Sequence, residues 1–309
     1  MKSPLNALLE KQKVLVLDGA MATELEKAGV DTANELWSAT ALLAEPEKIT
    51  AVHASYFAAG SQIATTNTYQ ANLPAFTKIG LSEASARQLI KQAVQCAQTA
   101  VKSSDDTNLL IAGSIGPYGA YLADGSEYTG AYQKTQAEYQ AFHYPRMAAL
   151  VAAGVDLLAF ETQPNFAETQ ALISLLKDKF PQLTAWVSFS IKDERHLCDG
   201  TDLIAAAQYA AKFPQISAIG VNCTALENIE PALHQLQTTV SKPLIVYPNN
   251  GDRYNPQTKK WQVNPQADSF SDLVPRWIAA GAKIIGGCCR TSPADIQEIA
   301  TTVKSELAK

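Results

Sequence analysis

Three cysteines stand where two apolar runs give out. Cys223 follows Ile219-Gly220-Val221-Asn222, and Cys288 and Cys289 follow Ile284-Ile285-Gly286-Gly287. A thiolate is both a nucleophile and a soft metal ligand. Three of them meeting at one point would suit Zn2+ and leave a fourth position open for a reacting molecule, as in a working rather than a structural site. Residue types alone also allow buried apolar fillers or a redox-sensitive pair. A vicinal Cys288–Cys289 disulfide is the poorer option, because its geometry is strained. The other two cysteines read differently: Cys96 as a filler inside a helical stretch, Cys198 as incidental in a charged loop. Five cysteines, an odd count, argue for reduced thiols over a disulfide framework. His53, His143, His196 and His234 form no HExxH pair and read as structural.

Positioning those thiols requires a scaffold that lines up distant strand ends. Eight short apolar runs recur, at Val14–Leu17, Gln62–Ala64, Leu110–Ala112, Leu157–Phe160, Ala185–Phe189, Ile216–Val221, Leu244–Val246 and Ile284–Gly286. Several are continuous rather than alternating, as in strands covered on both faces. Helical signals lie between them. Ser82 opens an amphipathic stretch through Val101, Asn165 and Glu168 resemble a capping box ahead of Phe166 to Lys179, and Ser292-Pro293 with Asp295 opens the last helix. Gly154 and Gly281 mark helix ends. Eight strand-then-helix units without a Pro/Ser-rich linker predict a single α/β domain spanning 1–309, a (β/α)8 TIM-type barrel; two doubly wound domains are the alternative. In such a barrel, strands six and eight share parity and would deliver the three sulfurs to one layer at the C-terminal face. The units are longest after strands one and three, at Ala20–Glu45 and Tyr118–Tyr132, on that same face. Those loops carry Trp37 and a crowd of tyrosines, Tyr118, Tyr121, Tyr128 and Tyr132.

Composition removes several function classes. The 309 residues are 47% apolar and 18% charged, which excludes a disordered chain. A net charge of −5 lacks the basic footprint of a nucleic-acid binder. No apolar run approaches a membrane span, and Asn6, Glu10 and Lys11 interrupt Met1 to Val14 where a signal peptide would be apolar. A soluble, cytoplasmic protein with small-molecule substrates is expected.

At these residues the chain resembles the homocysteine S-methyltransferase family, over nearly its whole length. The resemblance rests on Asp18-Gly19-Ala20-Met21, on Thr65-Thr66-Asn67-Thr68-Tyr69-Gln70, and on Gly116-Pro117-Tyr118-Gly119 with Ala123-Asp124-Gly125-Ser126-Glu127-Tyr128. It continues through Glu161-Thr162, Val221-Asn222-Cys223 and Gly286-Gly287-Cys288-Cys289-Arg290. Leu36-Trp37-Ser38 and Tyr118–Tyr128 are similar to the short members that use S-methylmethionine. The resemblance implies a barrel holding zinc on Cys223, Cys288 and Cys289, which activates the thiol of L-homocysteine toward a sulfonium methyl donor, S-methylmethionine or S-adenosylmethionine. It implies that Glu161 and Asp18, with Gly19 in its turn, bind the homocysteine ammonium, and that Thr65 binds its carboxylate. Trp37 and Tyr118 would face the sulfonium cation. Tyr69 is a candidate fourth ligand when substrate is absent. Asn222 and Arg290 flank the sulfurs without an assigned step. The segment Tyr247-Pro248-Asn249-Asn250-Gly251-Asp252 departs from the family pattern, where Ser and Glu are expected near 250 and 252. Two other readings stay open: a barrel enzyme gripping a phosphate with Gly286-Gly287 and the Asn249–Asp252 loop, and a non-catalytic zinc scaffold.

Overall fold

Apolar runs with no polar face must lie between two layers, and the eight runs do so in the computed structural model, which describes residues 3–255 and 260–309. The first two residues of the expected N-terminal segment, Met1 and Lys2, lie outside the described residues. The strands are β1 (Leu15–Val16), β2 (Ile63–Thr65), β3 (Leu110–Ile115), β4 (Leu157–Gln163), β5 (Ala185–Phe189), β6 (Ile216–Asn222), β7 (Leu244–Tyr247) and β8 (Ala282–Ile285). They form one parallel sheet in sequential order, with β8 beside β1. A bridge between Leu17 and Ile63 joins β1 to β2, and Gln62 N–H donates to Val16 O at 2.8 Å. The sheet closes on itself, which rules out the two-domain alternative.

Each strand is followed by an outer helix: α1 (Pro46–Ala58), α2 (Glu83–Lys102), α3 (Gln136–Ala153), α4 (Phe166–Lys179), α5 (Leu203–Ala211), α6 (Ile229–Gln237), α7 (Phe270–Ala279) and α8 (Pro293–Leu307). Ser82 caps α2, and Ser292 with Asp295 forms a reciprocal capping box on α8. At α4 the expected box is only half made. Asn165 accepts from Glu168 N–H, but the Glu168 carboxylate turns away to other partners.

The barrel interior is a packed core of Leu15, Leu17, Ile63, Leu157, Trp186, Ile245 and their neighbours. Leu5 and Leu8 belong to the same cluster. They come from a helix, Pro4–Gln12, that the sequence reading did not anticipate and that plugs the N-terminal end. Two small antiparallel pairs, Ile191–Asp193 with His196–Leu197 and Arg253–Asn255 with Lys260–Gln262, were also not anticipated. Among the described residues, no helix is long and apolar enough to cross a membrane.

Chain closure demands one glycine in particular. A Cβ on Gly220, in the middle of β6, would overlap the backbone carbonyl of Ile245 in β7. Gly220→Ala is therefore expected to destabilise the barrel by about 3 kcal/mol or more, read as a lower urea midpoint with an unchanged slope; a wild-type midpoint would show that β6 and β7 tolerate wider spacing.

Candidate metal centre and substrate site

The three cysteines meet just beyond the strand ends. Their sulfurs all lie within 4.8 Å of one another, with Cys223 Sγ 3.6 Å from Cys289 Sγ. Four ligands set tetrahedrally at 2.3 Å from zinc stand about 3.8 Å apart, so the cluster has the size of three zinc ligands. Shared strand parity is not what brings them together, because none of the three lies inside a strand. The spacing is set by β7, which lies between β6 and β8. Cys223 N–H donates to Tyr247 O at 3.1 Å, Cys288 N–H to Pro248 O at 2.7 Å, and Cys289 N–H to Asn249 Oδ1 at 3.2 Å. Asn250 N–H returns to Cys289 O. The Cys289 thiol is held well below its ordinary range by hydrogen bonds from Cys223 and Cys288, while Cys288 is pushed up by its bonds to Cys223 and Cys289.

Two carboxylates sit at other strands of the barrel, Asp18 just past β1 and Glu161 in β4. Glu161, in β4, accepts from Ser114 Oγ and from Tyr247 Oη at 3.2 Å; Trp186 Nε1 in turn donates to Tyr247 Oη at 3.0 Å. Burial lifts Glu161 to about 7 against those bonds. Asp18 is 3% exposed and is raised by burial, with the nearby charge of Glu161 adding to the effect. It accepts from Thr65 N–H at 2.7 Å and from Thr65 Oγ1. Both donors of Thr65 are thereby engaged, so Thr65 holds Asp18 in place rather than offering itself to a substrate carboxylate. Gly19 serves close packing: a Cβ there would lie 2.8 Å from Thr291 Oγ1 and from the Tyr56 ring.

Strained backbone gathers at the same place. Trp37, Thr162, Cys223 and Arg290 all have positive φ, at 46°, 55°, 51° and 69°. Asn222 supports one of them with a double contact, accepting from Thr162 N–H at 2.7 Å and donating to Thr162 Oγ1 at 2.8 Å. Trp37 is held through its neighbour: Ser38 Oγ donates to Asn67 Oδ1 at 2.7 Å, and Asn67 Nδ2 donates back to Ser38 O. Arg290 pairs with Asp252, which ties the variant loop after β7 to the end of β8.

The aromatic assignments change. Trp37 and Tyr69 stand edge to face with ring centres 6.1 Å apart. Tyr118 packs against Tyr121, Tyr132 and Phe142, and the Lys134 ammonium already lies 4.8 Å over its ring. An internal cation thus occupies the face expected to receive the sulfonium. The tyrosine that reaches the thiols is Tyr128, with its hydroxyl 3.5 Å from Cys223 Sγ. The sequence reading placed Tyr128 in this loop but gave it no contact.

A buried polar network fixes that loop from behind. Glu168 Oε1 accepts from Tyr118 N–H at 2.5 Å and lies 2.6 Å from His143 Nε2, while Oε2 accepts from Tyr132 Oη at 2.5 Å. Arg146 donates to the carbonyls of Thr68, Tyr69 and Gly116 and lies 3.1 Å from His143 Nδ1. His143 is structural, as expected, although it supports the site. Burial pushes its imidazole below the ordinary range. Cys96 is buried in α2, and Cys198 bonds Ser190.

Comparison with known proteins agrees with this geometry. The family model for homocysteine S-methyltransferase matches residues 15–303. The homocysteine S-methyltransferase of Escherichia coli K12 is 49% identical over 300 residues, covering 95% of this chain and 96% of its own length. Homocysteine S-methyltransferase YbgG of Bacillus subtilis is 47% identical over 311 residues, covering 98% of each chain. The metallated form of the E. coli homocysteine methyltransferase MmuM superposes with a TM-score of 0.89 at 47% identity, over 97% of this chain and 99% of that one. With three thiols gathered at the mouth of a closed barrel and a family match from β1 to α8, the chain belongs to the homocysteine S-methyltransferase family.

Proposed function

We propose that this protein moves a methyl group from a sulfonium donor, S-methylmethionine in the first instance, to the thiol of L-homocysteine, forming methionine, with Zn2+ held by Cys223, Cys288 and Cys289. The observation that carries this reading is the three-sulfur cluster beside Glu161. When bound, zinc would supply a deprotonated substrate sulfur at neutral pH. A free thiol of ordinary pKa is only about 3% ionised at pH 7, so ionisation is worth at most about 2 kcal/mol. Alignment of nucleophile, methyl and leaving sulfur is worth about 7 kcal/mol or more. The residues that position substrates therefore carry the larger share.

In the transfer, the carbon–sulfur bond to the donor breaks and its electron pair remains on the donor sulfur, which leaves as a neutral thioether. The homocysteine sulfur forms the new bond from its own lone pair. No proton moves in that step, so no general base is needed. Glu161 and Asp18 orient homocysteine through its ammonium; Tyr247 and Ser114 hold Glu161, and Asn222 locks the adjoining turn. Trp37, backed by Asn67, offers an aromatic face to the sulfonium. Five free thiols suit a reducing compartment, and the proposal extends to a cytoplasmic location.

The phosphate alternative loses its donors. Gly286 N–H bonds Val246 O, Gly287 N–H bonds Asp18 O, and the amides of Asn249, Asn250 and Asp252 are likewise engaged. A zinc scaffold gives no reason for buried carboxylates beside a three-ligand set.

Zinc-loaded protein should form methionine from homocysteine and S-methylmethionine; one equivalent of bound zinc with no turnover of either sulfonium donor would favour the scaffold. Cys223→Ala, Cys288→Ala and Cys289→Ala should each lose bound zinc by metal analysis and lose activity, with unchanged far-ultraviolet circular dichroism; any variant keeping full turnover removes that sulfur from the ligand set. Glu161→Ala should raise the homocysteine KM at least tenfold at unchanged zinc content, and an unaltered KM would take the ammonium away from Glu161. Asn222→Ala should lower stability by about 1–3 kcal/mol in chemical denaturation and raise the same KM; a wild-type denaturation midpoint would show that Thr162 holds its conformation alone.

A further inference from the structure

Three carboxylates lie around the thiols, and two of them are satisfied by the protein. Asp18 has Thr65, and Glu161 has Ser114 and Tyr247. The third is Glu127, next to Tyr128 on the loop after β3. Its Oε2 is buried and accepts no hydrogen bond from any described residue. An orphaned buried carboxylate oxygen is costly, and one that persists calls for a partner supplied from outside. Its position is fixed rather than incidental. Gly119 packs so tightly on this turn that a Cβ would lie 2.7 Å from the Glu127 nitrogen, and Tyr132 anchors the far end of the loop to Glu168. The carboxylate is close enough to Tyr69 and Cys289 for its charge to act on both.

Position separates its role from that of Glu161. Glu161 stands on β4, held by Ser114 and Tyr247, and in the proposed reaction it takes the homocysteine ammonium. Glu127 hangs instead from the loop after β3, which also sets Tyr128 against Cys223, and so belongs to a different element from the strand that carries Glu161. The second molecule in the proposed reaction is cationic. We infer that Glu127 binds the positive charge of the methyl donor, a sulfonium amino acid, and so separates the donor subsite from the homocysteine subsite. This inference rests on the proposed methyl transfer and adds the residue that recognises its second substrate.

The test uses zinc-loaded full-length protein and Glu127→Gln, which keeps the shape and removes the charge. Kd for S-methylmethionine by calorimetry and its KM in turnover should both rise at least tenfold. Zinc content and the homocysteine KM should stay within twofold of wild type. Repeating the calorimetry with dimethylsulfoniopropionate, which has the sulfonium but no ammonium, identifies the contact: weakening for both ligands assigns it to the sulfonium, and weakening for S-methylmethionine alone assigns it to the ammonium. Unchanged donor binding, or an equal rise in the homocysteine KM, would overturn the assignment. Should the Gln variant fail to fold, Glu127→Asp, which retracts the charge, carries the same comparison. Absence of methionine formation by wild-type protein would sink the functional reading, while donor calorimetry would still decide the role of Glu127.

Discussion

Strand β7 is the spacer on which the site depends. Cys223 and Cys289 are 66 positions apart in the chain, yet their sulfurs are within van der Waals reach. The intervening strand and the two residues past it supply Tyr247 O and Pro248 O to the amides of Cys223 and Cys288, and Asn249 Oδ1 to that of Cys289. A ligand set built this way inherits the spacing of a parallel sheet, about 4.8 Å per strand. Bending of the loops past the strand ends then closes two strand widths down to the separation of ligands on one ion. The positive φ of Cys223 belongs to that inward bend. The same strand also delivers Tyr247 to Glu161, so the spacing of the thiols and the support of that carboxylate share one element.

Around the cluster the protein has gathered negative charge in a place where water is scarce. Glu161 and Glu127 are both raised to about 7 by burial, with Cys223 reinforcing the effect, and Asp18 is raised as well. Such groups repel one another and are poorly solvated, which makes the unliganded site electrostatically uncomfortable. In the proposed reaction, cationic substrates would relieve that discomfort, and a divalent metal held by three thiolates, with a net charge of −1, would add to the pull on a sulfonium. The scaffold tolerates this because its polar support is nearly complete on the protein side: Arg146 is buried but grips three backbone carbonyls, and His143 and Glu168 satisfy each other.

Much of this was legible in the sequence, and the omissions have physical reasons. Short apolar runs marked all eight strands, and several were continuous, because a strand covered on both faces leaves no alternation to misread. The three thiols stood out by their place at strand ends. The short helix Pro4–Gln12 was missed because its apolar face covers only the N-terminal end of the barrel. Glu168 was read as a capping residue because position three of a helix usually is one; its recruitment by Tyr118, Tyr132 and His143 depends on residues from another helix and a distant loop. Tyr118 was preferred over Tyr128 because four tyrosines in one loop are equivalent until tertiary packing decides which hydroxyl reaches the thiols. The pairing of Thr65 with Asp18 was equally invisible, since it exists only once β1 and β2 close the barrel.

The Glu168–His143–Arg146 network has a consequence for how this family could diversify. The conformation of the segment after β3 is written largely outside it, on α3 and α4, through a carboxylate and a guanidinium that it meets only after folding. Grafting that segment alone from a relative with another preference would transplant letters without their grammar. Exchange of specificity between such enzymes should therefore travel as a set of co-inherited helix and loop positions, not as a cassette.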